Sequence, residues 1–261
     1  MALIVYHRFL ELIKDKLFTS DIKKIFKITK LFWKKNDNKV FFLTGCTGFF
    51  GIWIVSTFNI AIQNLKLNIK VFVLTRDKKI KKKIIYKISK NKNIKFIYGN
   101  ILNFKVPNSI KKIDYIIHGA TTSALETFNK QNYNLKKKII IDGTKKILKL
   151  AKKTKCKNFF YMSSGAAYKN LNKNALLNEK SKTYSYFKLN SREDDKSVLG
   201  KSKRKAEIEV INFCKKNKIS FSIGRFFSFI GPFMPMNIHY AIGNFLIAKL
   251  LKKEIKLNSS G

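Results

Sequence analysis

Short runs of apolar, β-branched and aromatic residues alternate along the chain with longer stretches whose apolar positions recur every three or four residues. The runs are Val40 to Thr44, Val71 to Leu74, Ile94 to Tyr98, Tyr115 to His118, Phe159 to Met162 and Phe221 to Ile223, and each reads as a strand. Between them, helical spacing predicts helices at about 50–63, 79–89, 135–153, 200–217 and 238–252. Strands separated by helices return to the sheet in parallel, so the rhythm predicts an α/β fold with a doubly wound parallel sheet. The polar segment 169–197 reads as a loop, and no internal repeat is visible. Ahead of the first strand, residues 1–38 set Phe9, Leu10, Ile13, Leu17, Ile22, Ile25 and Phe26 among basic residues at helical spacing and predict an amphipathic helical extension.

No charge interrupts the chain between Lys39 and Lys66, a length that invites a membrane-spanning reading, since about 20 apolar residues suffice. Glycine spacing decides against it. Gly45, Gly48 and Gly51 follow the strand-like Val40 to Thr44 at every third position, the order of a buried strand, a tight turn and a helix beginning near Phe50. In that order each glycine has a mechanical use. One permits the turn, one lets the backbone approach a diphosphate, and one lets the helix sit close to the sheet with its N-terminus facing the anion. The segment Thr44 to Gly51 therefore predicts a dinucleotide cradle, with Gly45, Thr47, Gly48, Phe49, Phe50 and Gly51 as its cofactor-binding residues. The alternative is a glycine-rich turn without a ligand.

The end of the second strand selects the cofactor, because an acid there accepts the 2′-hydroxyl of NAD whereas a cation accommodates the 2′-phosphate of NADP. Thr75 holds the acid's position and Arg76 follows, so NADP is preferred over NAD. Asp77 swinging in, or an Arg76 that simply faces solvent, are the competing readings. After the third strand, Gly99, Asn100 and Ile101 offer an amide to an adenine, or form an ordinary turn.

Composition narrows the class. The 261 residues include 55 Lys and Arg against 15 Asp and Glu, a net charge of +40, with 45% hydrophobic and 13% aromatic residues. That apolar content excludes a disordered basic tail and supplies a substantial core. A charge of this size suggests nucleic acid. However, only five of the 55 cations are arginines (Arg8, Arg76, Arg192, Arg204 and Arg225), and arginine is the usual fork for bases and phosphates. Most lysines read as a solvated face, and no specific nucleic-acid partner is expected. Cys46, Cys156 and Cys214 are odd in number and lack metal-ligand spacing, so no metal is expected and a reducing compartment fits. Met1 to Tyr6 is too short for a signal-peptide core, so a cytoplasmic location without a transmembrane segment is expected.

The ordered set now comprises the Thr44 to Gly51 turn, Asn100 Ile101, His118 Gly119 Ala120 Thr121, Asp142 Gly143 Thr144, Ser163 to Tyr168 and Gly200 to Glu207. It resembles the extended short-chain dehydrogenase/reductases, and more narrowly the NAD-dependent epimerase/dehydratase family that modifies nucleotide-activated sugars. The resemblance covers about residues 40–261 and adds Ala120 to the cofactor-binding positions. It implies a dinucleotide-binding Rossmann domain over 39–230, and at 231–261 the start of a short, incomplete C-terminal substrate lobe. The chain reaches Gly261 where relatives continue, so the lobe is expected to be truncated. Pairing of two subunits through helices is a further implication.

By the same resemblance Ser164, four residues before Tyr168, faces the sugar group undergoing redox, with Ser163 as the fallback; both serines ending a buried strand is the plainer alternative. Gly165 and Ala166 stand where sugar dehydratases carry acids, so reduction or epimerisation is favoured over elimination of water. The segment Gly200 to Glu207 resembles the helix that carries a Tyr and a Lys four residues apart. Lys203 takes the lysine's role, bonding the nicotinamide ribose and lowering the pKa of the phenol, or is a lysine facing water. The tyrosine's position is Leu199, which has no exchangeable proton. Loss of a general acid/base removes about 10² to 10⁴ of rate, and neither Tyr184 nor Tyr186 is placed by the sequence to replace it. The expected function is an NADP- or NAD-dependent nucleotide-sugar epimerase or reductase of polysaccharide biosynthesis, impaired at Leu199. A noncatalytic NAD(P)-binding relative is the alternative, and a basic nucleic-acid-binding protein ranks last.

Overall fold

A computed structural model describes residues 17–80, 83–89, 91–122, 132–168, 176–181, 183, 195–234 and 241–255. In chain order the elements are α1 (Leu17–Lys35), β1 (Val40–Thr44), α2 (Phe49–Leu65), β2 (Lys70–Thr75), α3 (Ile84–Ile88), β3 (Ile94–Tyr98) and β4 (Tyr115–His118). There follow α4 (Tyr133–Lys153), β5 (Asn158–Ser164), a 3-10 turn (Gly165–Ala167), α5 (Asp195–Lys216), β6 (Ser220–Phe226) and α6 (Ala241–Leu250). Every predicted strand is present. Of the predicted helical extension, residues 17–35 are helical and 1–16 lie outside the described residues.

All strand pairs are parallel, and the order across the sheet is β3-β2-β1-β4-β5-β6. Order reverses between β1 and β4, which opens a crevice beyond their carboxyl ends where open α/β sheets receive ligands. Burial on both faces explains the unbroken apolar runs. On β1, Phe41 and Leu43 point to one side with Val55, Phe58, Val71 and Val73. Phe42 points to the other side with Ile116, Ile140, Ile147 and Val210.

Two predicted helices differ from the structure in extent. Among the described residues of 79–89, α-helix is confined to the five-residue α3, and Asp77 turns the chain ahead of it: its carboxylate accepts from the Lys79 N–H at 2.8 Å, and the Ile80 N–H bonds the Asp77 carbonyl at 3.2 Å. Short acidic side chains favour such turns by bonding the local backbone. Conversely α5 begins at Asp195, five residues before the predicted start, so Leu199 lies within the helix. The rest of the expected 169–197 loop falls largely outside the described residues; Tyr168 forms an antiparallel bridge to Thr183.

The carboxyl end of β1 is pinned by a buried polar relay that joins three elements. The Thr44 hydroxyl lies 2.6 Å from His118 Nδ1, His118 Nε2 lies 3.0 Å from the Thr144 hydroxyl, and that hydroxyl donates to the Ile140 carbonyl at 2.6 Å. Proton counting assigns the roles. Thr144 has one O–H and gives it to Ile140, so it accepts from His118 Nε2–H, and His118 Nδ1 accepts from Thr44. His118 is thus neutral, and burial, with a smaller contribution from the charge of Lys203, pushes its pKa down to about 3 from the ordinary 6.5.

The unfolded chain takes up a proton on His118 below about pH 6.5 that the folded chain refuses until about pH 3, so this group's contribution is complete above the first value and is lost as pH falls towards the second. His118→Gln keeps one donor and one acceptor between the threonines. Urea unfolding should therefore show stability falling more steeply between about pH 6.5 and 4.5 in the unmodified chain than in the variant. Parallel slopes would show that His118 is not held neutral.

Candidate dinucleotide site at the carboxyl edge of the sheet

The turn after β1 is shaped by contact of backbone on backbone. Gly45 has φ +71°, a left-handed conformation, and a Cβ there would overlap the backbone of Gly119 and Ala120. A Cβ on Gly51 would overlap the backbone of Cys46. Gly48 differs: a Cβ there meets nothing within 4 Å, although the residue immediately precedes α2. Gly48 caps that helix without a side-chain hydrogen bond, and no acid stands in the first turn. The free N–H groups and positive end of the helix dipole at this end attract an anion. Two glycines thus let the chain pack on itself, and the third leaves open ground in front of a helix N-terminus. This is the fit a pyrophosphate requires.

Of the other predicted cofactor contacts, Thr47, Phe49 and Phe50 are half-buried along this turn, and Phe50 packs against Phe226 and Phe229 with ring centroids 5.3 and 5.0 Å apart. Ala120 abuts Gly45 and forms the facing wall. Cys46 is inert, because burial pushes its thiol up to about 12. At the end of β2, Thr75 is buried and Arg76 is exposed. Asp77 has both carboxylate oxygens turned to its own loop, one on the Lys79 N–H and the other 3.8 Å from Lys83 Nζ. Asn100 is exposed and its side-chain oxygen accepts from the Leu102 N–H at 3.0 Å, while Ile101 is buried against Gly143.

The second group of predicted residues lies at the same edge of the sheet. Leu199, Lys203 and Glu207 are spaced four apart on α5, which puts them on one stripe. Lys203 is buried, donates to the Met162 carbonyl on β5 at 2.8 Å and sits 5.1 Å from the centre of the Tyr161 ring. Burial pulls its pKa down to about 8, against the raising effect of Glu207. One turn earlier, Leu199 packs half-buried against the core between α4, α5 and the sheet. Ser164, the last residue of β5, accepts from the Ala166 N–H at 3.2 Å and so caps the 3-10 turn.

Ser163 is committed elsewhere, to a buried cluster the sequence analysis missed. It donates to Glu207 Oε1 at 2.5 Å. Arg225 grips the same carboxylate with two bonds of 2.9 and 2.8 Å, and Arg204 adds a third guanidinium bond at 2.9 Å. Burial alone raises the Glu207 pKa, but the bonds from Arg225, Ser163 and Arg204 outweigh it and leave the carboxyl below its ordinary value. The Arg225 guanidinium also covers the Tyr168 ring at 4.6 Å. Nothing in the spacing of the sequence links Ser163 or Arg225 to Glu207, so no periodic signal was available to find the cluster. A second missed contact lies at Gly165: a Cβ there would lie 2.6 Å from the ring of the exposed Phe227, so a larger residue after Ser164 would have to displace that ring.

The matching family is the NAD dependent epimerase/dehydratase family, over residues 41–261, and this chain belongs to it. Its Rossmann-type sheet is shared with solved nucleotide-sugar enzymes. UDP-glucuronic acid 4-epimerase from Bacillus cereus, solved with UDP-glucuronic acid and NAD, is 19% identical with a TM-score of 0.66; the match covers 85% of this chain and 66% of that one. UDP-N-acetylglucosamine 4-epimerase from Methanobrevibacter ruminantium is 21% identical with a TM-score of 0.65, covering 84% and 64%. A dTDP-glucose 4,6-dehydratase from Bacillus anthracis, in complex with NAD, is 18% identical with a TM-score of 0.63, covering 85% and 65%. The chain thus spans just under two thirds of these neighbours. No curated protein sequence matches it significantly.

The three glycines should separate by stability. Gly45→Ala and Gly51→Ala force backbone apart and should each lower unfolding free energy by about 2 kcal/mol or more, whereas Gly48→Ala should change it by less than about 0.5 kcal/mol. Urea denaturation of the three variants measures this. Equal losses would mean that the space before α2 is not open.

Proposed function

We propose that this protein is an NADP- or NAD-dependent epimerase or reductase acting on a nucleotide-activated sugar of surface-polysaccharide type, with turnover lowered by the aliphatic residue at position 199. The open ground before Gly48, at the N-terminus of α2, carries the cofactor part of this reading. The bound nicotinamide would supply an acceptor and donor of hydride. The chain's own residues do the holding. Gly45, Thr47, Gly48, Phe49, Phe50 and Gly51 receive the pyrophosphate, Ala120 walls the crevice, and Asn100 with Ile101 border the adenine end. The exposed Arg76 supports NADP as the preferred form, because a 2′-phosphate needs a cation where NAD needs an acid. Asp77, engaged by the Lys79 N–H and Lys83, supports the same choice.

At the reacting end, Lys203 carries three N–H donors, of which the Met162 carbonyl takes one, and the resemblance directs the ammonium to the nicotinamide ribose. Ser164 presents its hydroxyl to the sugar at the end of β5. Gly165 and Ala166, which carry no acid next to Ser164, support epimerisation or reduction over elimination, since elimination needs an acid and base beside this serine. The neighbours' complexes with UDP-sugars support a nucleotide sugar as substrate. Three buried, unpaired thiols suit a reducing compartment such as the cytoplasm.

A second reading, a noncatalytic dinucleotide-binding protein, is favoured by one observation: Leu199 is packed into the apolar core beside Lys203 and has no proton to move. The variant Leu199→Tyr separates the two. With candidate nucleotide sugars and either dinucleotide, the variant should gain about 10² to 10⁴ in kcat over the unmodified chain. No gain, with dinucleotide affinity intact, would establish the noncatalytic reading. Ready turnover by the unmodified chain would refute it.

A further inference from the structure

One stripe of α1 fastens the helix to the body of the protein. Phe18 meets Trp53 and Phe233 edge-on at 4.7 and 4.9 Å, and Trp33 meets Phe58 at 4.9 Å. Ile22 and Trp33 are each only 5% exposed. Residues 17–35 are therefore a fixed part of the nucleotide-binding unit.

The opposite face is of a different kind. At about 100° per residue, Leu17, Ile28 and Leu31 fall within about 60° of one another on the side away from Ile22 and Trp33. They are 74%, 83% and 71% exposed. A single exposed leucine is ordinary, but three large aliphatics in one row are not. Lys24 and Lys35 stand within the row, and Lys23, Lys27, Lys30 and Lys34 lie along one flank. The one acid of the helix, Asp21, is 3.5 Å from Lys24. The face thus joins a row of large aliphatics, interspersed with Lys24 and Lys35, to a cationic flank.

A nucleic acid has no use for the aliphatic ridge and is read mainly by arginine. A lipid surface uses both components: aliphatic side chains enter the boundary below the headgroups, and lysines extend their stems and place their ammonium groups among the phosphates. No described helix is long and apolar enough to cross a membrane, so the helix would lie on the surface. We propose that the outer face of α1 docks this protein onto an anionic membrane, with Leu17, Ile28 and Leu31 inserted and the surrounding lysines facing lipid phosphates.

Cosedimentation of the full chain with vesicles, near physiological salt, tests this. Vesicles of phosphatidylcholine with about one third phosphatidylglycerol should bind the protein, and pure phosphatidylcholine should bind it at least about tenfold more weakly. The triple variant Lys23→Glu, Lys27→Glu, Lys34→Glu should lose about 100-fold in partitioning, and Ile28→Ser with Leu31→Ser about tenfold. All these positions are exposed, so thermal melting should be unchanged. A control triple, Lys149→Glu, Lys152→Glu, Lys157→Glu, makes the same change in net charge on another surface and should retain binding. Equal losses in the two triples would overturn the proposal by assigning the attraction to the +40 charge alone. No binding to the anionic vesicles would overturn it, as would self-association of the chain that the Ile28/Leu31 variant abolishes without any effect on vesicles.

Discussion

Gly45 lies so close to Gly119 and Ala120 that a single methyl group would overlap their backbone, and Gly51 stands in the same relation to Cys46. The first contact packs the turn after β1 on the carboxyl end of β4, where strand order reverses, and the second packs the start of α2 on that turn. Only Gly48 escapes them. Its missing side chain is not needed by the protein's own packing, and the proposed pyrophosphate site is the space it leaves before α2. The Thr44–His118–Thr144 relay holds the same strand ends from beneath, in a form that requires an uncharged imidazole.

The other half of the crevice depends on the stripe Leu199, Lys203 and Glu207. Glu207 is the anchor, since three side chains from β5, α5 and β6 converge on its carboxylate and fix how α5 sits on the sheet. Lys203, one turn away, is held by the Met162 carbonyl with its charge only partly compensated. At Leu199 this ordered stripe ends in a side chain that packs but cannot exchange a proton. The stripe thus runs from an ion-paired carboxylate through a buried ammonium to an apolar side chain at its end. On the opposite side of the sheet, α1 extends the apolar core outward through Trp33 and leaves a cationic, aliphatic face towards solvent.

Much of this was legible in the sequence because strands buried on both faces write unbroken apolar runs. Ile94 to Tyr98 and Tyr115 to His118 have the predicted bounds, and the glycine turn announces itself by strand, turn and helix in order. Helix ends were less legible, because they depend on local turns and caps that periodicity does not show, such as the bond from the Lys79 N–H to the Asp77 carboxylate ahead of α3. The Glu207 cluster and the Phe227 contact with Gly165 were not legible at all. Ser163 and Glu207 are 44 residues apart and Arg225 is 18 further on, so no periodicity links them. The division of labour among the three glycines also needed coordinates, since spacing alone cannot show which one faces open ground.

Calorimetric titration of NADP and of NAD into the unmodified chain is the most direct test of the central claim that the turn before α2 receives a dinucleotide. Saturable binding of one equivalent, tighter for NADP, is the expected result. Absence of binding by both dinucleotides at millimolar concentration would contradict the account.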